Sequence, residues 1–337
     1  LQGRCGDNFI FSPLYYGADS TGFLSTMSDE GRSMDLATAL SISGAAVDPN
    51  TYATKSRSLS FIMTLLNLRC GYWTRNPLRS ASRYWPRRLA RLNRTLRQAT
   101  RKDDVGFEER GSARRLYGFA TSLVARFLWY VFMFREMSGI GLSEDRPHVH
   151  LSDGGQFENL GLYELVRRQC RYIVVCDAGA DTKWTFSDLG RAIELVRLDF
   201  GAKVEIDTSC MWPDKDDVLK RSRRAFAVGK VTYMDGSEGD LLLIKTGIVR
   251  DLEEDIYSYR RHNRTYPDQS TVDQFFEERQ FEAYRELGFQ LGQMAFGEEC
   301  AGFPELFDRL KAETSITCDP ELPPPGAKQQ TPAAASG

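Results

Sequence analysis

The chain has 337 residues and a mass of 38.2 kDa, with 42% hydrophobic, 27% charged and 12% aromatic residues and a mean hydropathy of -0.41. That profile belongs to a folded globular protein and excludes wholesale disorder, collagen-like repeats and a polytopic membrane protein. Lys and Arg number 44 against 46 Asp and Glu, so a net charge of -2 excludes any global attraction to nucleic acid. The seven cysteines are odd in number and form no Cys-x-x-Cys pair, which predicts reduced, mostly buried thiols and a cytoplasmic setting.

The chain opens on Leu1-Gln2-Gly3-Arg4-Cys5 without Met or a signal segment, which predicts a fragment or a processed chain. Residues 1–35 are rich in Gly, Ser, Thr and Asp and read as irregular. Helices are expected over 36–44 and 59–66, separated by a turn at Asp48-Pro49-Asn50. From Arg69 to Lys102 there are eleven basic residues and no acid, so the other 303 residues carry -13. Arg87, Arg91 and Arg94 recur at helical spacing beside Leu89, Leu92 and Leu96, with Arg88, Tyr84 and Trp85 at the edge. This Arg-rich insertion, set at 69–115, suits either a solvated helical face or an anionic surface. Phospholipid headgroups are favoured over nucleic acid because aromatic and aliphatic residues accompany the arginines. The apolar run 119–134 is 16 residues long and broken by Arg126, too short to span a bilayer and suited to a buried or interfacial helix.

The most regular stretch starts at His148. A short strand 149–152, a turn at Asp153-Gly154-Gly155, a helix 159–169 with Leu160, Leu162, Leu165 and Val166 on its apolar face, and a continuous apolar strand 172–176 follow one another. A helix 186–199 and a strand 203–207 complete a βαβαβ order, which predicts an α/β domain with a largely parallel sheet. Strands 226–233 and 240–246 flank a turn at 235–239, an expected hairpin. Residues 270–288 are expected to form a helix with Phe275, Phe281 and Leu287 turned inward. The tail 318–337 holds five of the thirteen prolines and is expected to be disordered.

The turn at 153–155 puts a carboxylate at a strand's carboxyl end, where α/β proteins place ligand sites, with two glycines that leave room beside it. The longer string from Leu151 to Arg168, with Asp153, Gly154, Asn159 and Leu160, resembles the aspartate motif of patatin-like and group IV cytosolic phospholipases; Gly161 stands where proline is common in that motif. Ile173 to Ala180 looks like the family's next strand with its Asp-containing end. Phe11-Ser12-Pro13-Leu14-Tyr15-Tyr16-Gly17 and Tyr266-Pro267-Asp268-Gln269-Ser270 are similar to further segments of the cytosolic branch. The resemblance covers roughly residues 9–290 and leaves the Arg69–Lys102 stretch outside it.

The resemblance implies a patatin-like three-layer α/β sandwich spanning 1–317, incomplete at its N-terminus. It also implies a serine acyl hydrolase acting on phospholipid or another lipid ester, with Asp153 as the base and no cofactor or metal. Gly154, Gly155 and Asn159 would shape the substrate side, and Arg87, Arg88, Arg91 and Arg94 would hold an anionic membrane surface, placing the protein at the periphery of a membrane. A serine nucleophile needs a base within hydrogen-bond reach and backbone N–H groups facing the developing oxyanion. The chain has no Gly-x-Ser-x-Gly elbow. The nearest string is Ser41-Ile42-Ser43-Gly44-Ala45, with Ser43 as its hydroxyl, so the nucleophile is expected upstream of Leu1. The other reading is a catalytically inactive module that binds anionic lipid or a protein partner. His148 and His150 share a strand face but lack a second pair with ligand spacing, so a half-exposed strand pair is expected. His262 is expected to be solvated, and Asp177 and Asp181 to cap the helix that opens at Phe186.

Overall fold

In the computed structural model the described residues are 6–28, 34–45, 47–48, 57–66, 70–77, 129–138, 142–214, 216–270, 273, 275–297 and 300–317. They form a mixed α/β protein that divides into two compact units, one ending at Asn159 and the other starting at Leu160. The arginines at 87, 88, 91 and 94, most of the insertion at 69–115, the run 119–128 and the tail 318–337 lie outside the described residues.

In the first unit, β1 (Ile10–Phe11), β2 (Tyr15–Ala18) and β3 (Gly22–Ser25) make an antiparallel meander. Ser12 shapes its first turn, accepting from the Tyr15 N–H and donating to the Tyr15 carbonyl. Helix α1 (Leu36–Ser43) starts at Asp35, whose carboxylate accepts from the Thr38 N–H at 2.7 Å. It is followed by α2 (Arg57–Leu65), β4 (Tyr72–Arg75), α3 (129–138) and β5 (His148–Leu151). Strand β5 pairs antiparallel with β4, and its inward residues Val149 and Leu151 form a small core with Met34 and Ile42.

In the second unit α4 (Leu162–Arg167), β6 (Tyr172–Asp177), α5 (Ser187–Phe200), β7 (Lys203–Ile206), β8 (Phe226–Thr232), β9 (Glu238–Lys245), α6 (Glu254–His262), α7 (Glu278–Phe296) and α8 (Phe303–Thr317) follow in order. The sheet order is β6-β9-β8-β7, and among its neighbouring pairs only β6 and β9 are parallel. The expected largely parallel sheet is therefore corrected to a mixed one: β5 belongs to a separate sheet, and β8 runs opposite to β6, β9 and β7. The chain between β7 and β8 contains a 3-10 turn (Ser209–Met211) and no α-helix, so the crossover that a parallel neighbour requires is missing. The β8–β9 hairpin forms as expected, with Gly236 at φ +84° in its turn.

The sheet is buried on both faces. Leu242, Ile244 and Phe226 pack against Ile256 and Tyr259 of α6, Leu287 and Leu291 of α7, and Phe307 and Leu310 of α8. Ile173, Val175, Leu241 and Leu243 point the other way and are also fully covered, on the side where the buried faces of α4 and α5 lie. This explains why β6 and β9 read as continuous apolar runs. Helix α7 begins eight residues later than expected. Leu287 is buried as expected, whereas Phe275 and Phe281 are exposed. The thiols are also more exposed than expected: Cys70 and Cys176 lie at the surface, and buried Cys210 is disulfide-bonded rather than reduced.

Candidate functional site

In the first unit, strand β5 delivers Asp153 into a tight turn. The Gly155 N–H donates to Asp153 Oδ1 at 2.9 Å and a single 3-10 turn (Gly154–Gln156) follows, leaving the carboxylate partly exposed at the strand's end. The two glycines differ in their surroundings. A Cβ on Gly154 would meet nothing within 4 Å beyond its chain neighbours, so a side chain could stand there without a clash. A Cβ on Gly155 would come within 2.6 Å of Asn159 Oδ1 and 3.4 Å of Asp153 Oδ1, so glycine is what lets Asn159 close over the turn. Gly155→Ala should therefore lower thermal stability by the equivalent of about 1–3 kcal/mol, as overpacking does, while Gly154→Ala should be nearly silent. Thermal unfolding of the two variants checks the contrast.

Ser43 is the last residue of α1, exposed beside the C-cap Gly44. It stands at the carbonyl end of a helix, where the helix field disfavours developing negative charge and the unpaired backbone groups are acceptors rather than donors. An elbow serine has the opposite setting. Ile42 packs on β5 and the Ser152 hydroxyl donates to the Ala45 carbonyl at 3.2 Å, which ties the end of α1 to the strand that carries Asp153.

Sequence reasoning missed a second polar cluster in this unit. His150 Nε2 lies 3.4 Å from Asp48 Oδ2 and 3.8 Å from Glu136 Oε1, with both carboxylates almost fully buried. The Trp73 indole N–H donates to Glu136 Oε1 at 2.5 Å, and the Trp73 ring sits 4.6 Å from Phe132 and 5.1 Å from His150. Gly71 makes the closure possible, since a Cβ there would overlap His150 and Asp48. The alternation of His148 and His150 pointed at this strand face. Nothing in the spacing linked it to Asp48 and Glu136, which stand 102 and 14 residues before His150. Burial and the guanidinium groups of Arg75 and Arg135 hold the His148 ring below its ordinary range, favouring the neutral imidazole. Among the described residues no group of three or more His, Cys, Asp or Glu side chains is placed to hold a metal ion.

The second unit concentrates charge at the carboxyl ends of its parallel pair. Asp177 and Lys245 end β6 and β9 in register, and Lys245 Nζ donates to Asp177 Oδ2 and to the Gly179 carbonyl, each at 3.0 Å. The Gly179 N–H donates back to Asp177 Oδ1 at 2.9 Å, so the ion pair clamps the loop after β6 from both sides. Asp181 accepts from the Thr185 and Phe186 N–H groups and so shapes the turn ahead of α5, but it is not the expected cap: the N-cap is Phe186, with no side-chain cap bond. Asp177 does not cap it either; its partner is Lys245. The Asp181 N–H donates to Asp268 Oδ1 at 2.8 Å. His262 is exposed, as expected.

Burial pushes the Asp268 carboxyl above its ordinary range, outweighing the pull of the Asp181 N–H and of the Lys245 and Arg260 charges. The folded state thus prefers protonated Asp268 more than the unfolded chain does. Its cost to stability is absent at acid pH, grows as pH rises from the ordinary carboxylate range through the raised folded value, and persists at neutral pH. Asp268→Asn keeps an oxygen for the Asp181 N–H and should raise stability at neutral pH, with the gain vanishing on the acid side of that interval. Denaturant unfolding at a series of pH values checks it; a gain independent of pH would contradict the assignment.

No protein family, curated protein or solved structure matches the chain. Among the described residues no helix is long and apolar enough to cross a membrane.

Proposed function

We propose that the chain is the base-bearing part of a serine acyl hydrolase of the patatin and cytosolic-phospholipase kind, acting on phospholipid or a related lipid ester. The observation that carries the reading is the setting of Asp153: a partly exposed carboxylate at a strand's end, held by one backbone N–H, with open space beside Gly154. A general base needs a fixed direction and room for the hydroxyl it deprotonates; the Gly155 N–H supports the first and the unobstructed position at Gly154 is compatible with the second. In the proposed reaction the serine proton passes to Asp153 as the serine oxygen attacks the ester carbonyl. The proton then goes to the departing alcohol, and water later releases the acyl group. The nucleophile belongs to an elbow outside residues 1–337, since Ser43 sits at the wrong end of its helix for an oxyanion. No cofactor enters this chemistry.

Peripheral attachment to a membrane belongs to the same proposal. Trp129, Tyr130 and Phe134 of α3 are all about half exposed, the interfacial kind of aromatic surface, and the arginine-rich stretch at 69–102 lies earlier in the same chain. A fluorophosphonate probe tests the reading on the product of the whole reading frame. It should label one serine, and labelling should fall sharply in Asp153→Asn. Unchanged labelling in that variant would remove Asp153 from the role.

A further inference from the structure

Helix α7 buries one side and leaves the other without cover. Ala283, Leu287, Leu291 and Ala295 face the core, while Phe281, Phe289 and Phe296 are 65%, 54% and 41% exposed. At about 100° per residue these three rings fall within roughly 80° of one another, and Gly288 and Gly292 lie in the same stripe. A Cβ on either glycine would meet nothing within 4 Å, so the stripe holds an open notch between aromatic knobs. We propose that this face is a homodimer interface in which α7 of one copy packs antiparallel on α7 of a second copy.

The order of residues is self-complementary in that arrangement. With the two-fold axis between positions 288 and 289, Phe289 of each copy enters the Gly288/Gly292 notch of the other, Phe281 meets Phe296, and Arg285 lies over Gly292. An isologous contact requires this kind of symmetry, because one patch must serve both sides. Charge selects the direction. Residues 277–286 hold four acids against Arg279 and Arg285, the latter paired with Glu282 and Glu286, and stay net negative, whereas 287–296 carry no charge at all. Antiparallel packing sets each acidic half against a neutral one; parallel packing would bring the acids together. Phe275 and Phe276 precede α7 and Phe303 follows it, at 90%, 51% and 52% exposure, so antiparallel packing brings the two ends towards each other's rings. Taking about 200 Å² per phenylalanine, the six exposed rings offer roughly 700 Å² per copy, close to the ~800 Å² per partner of a stable interface. The same acids make the face a poor match for an anionic membrane.

Sedimentation velocity and light scattering of the full chain at about 10–100 μM should give a dimer, and Phe289→Arg should give a folded monomer with an unchanged circular dichroism spectrum. Should that variant misfold, Gly292→Leu, which fills an open notch without disturbing the core, should have the same effect. Gly288→Cys should cross-link across the axis under mild oxidation. Phe281→Cys should not, because fifteen residues of helix separate it from its counterpart's height, about 22 Å at 1.5 Å per residue. A monomeric wild type, a dimer indifferent to both variants, or equal cross-linking at 281 and 288 would overturn the proposal. So would a monomer that binds phosphatidylcholine vesicles in a Phe289-dependent way.

Discussion

Replacing Lys245 with methionine should destabilise the chain by about 3–5 kcal/mol, the largest single-residue loss expected outside the apolar core, because it strands a buried carboxylate. The Lys245 and Asp177 side chains are 2% and 5% exposed, so neither charge has water to fall back on. The lysine also donates to the Gly179 carbonyl, and the aspartate holds the Gly179 N–H, so the loop after β6 loses its clamp with either partner. The double variant Asp177→Leu/Lys245→Met should recover most of the loss, since both desolvation costs disappear together. Urea unfolding of the two single variants and the double variant measures the coupling. A cost below about 1 kcal/mol for Lys245→Met would mean that the pair is solvated in solution.

On the proposed mechanism, Asp153→Asn should cut kcat by about 10²–10⁴-fold while leaving KM near its wild-type value, the signature of a lost proton acceptor rather than lost binding. The substitution is suited to that purpose. An asparagine oxygen can still accept from the Gly155 N–H, so the turn and the end of β5 stay as they are and the change is confined to basicity. Stability should move by less than about 1 kcal/mol, as for other partly exposed sites.

Much of the second unit was legible in the sequence because its elements carry strong periodic signals. The continuous apolar run at 172–176, the strand expected at 240–246, the Asp-Gly turn between β8 and β9, and the helix from 187 to 200 stand close to where their patterns put them. Strand pairing was not legible. Five alternating elements from 149 to 207 suggested one parallel sheet; β6 and β7 do run the same way, yet β5 pairs with β4 instead, and the return from β7 places β8 between β7 and β9 in the opposite direction. Helix α7 went astray for a different reason. Its exposed phenylalanines look like core residues on composition alone, and only their angular offset from Leu287 and Leu291 shows that they form a second apolar stripe. The clusters around His150 and Lys245 escaped because each gathers side chains from distant segments, with no motif to announce them. Lys245 in particular sits in an apolar strand, DLLLIKT, where a lysine reads as the exposed end of the strand. It is instead nearly as buried as the leucines before it. Asp153 was legible through a resemblance in its neighbours, and the structure adds its turn geometry and the distinct surroundings of its two glycines.

The most direct measurement is kcat/KM for hydrolysis of a short-chain p-nitrophenyl ester by the product of the whole reading frame, wild type against Asp153→Asn, with unfolding midpoints recorded for both. The wild type should turn the ester over, and the variant should lose at least about 100-fold at matched stability. Equal rates for two equally folded proteins would contradict it.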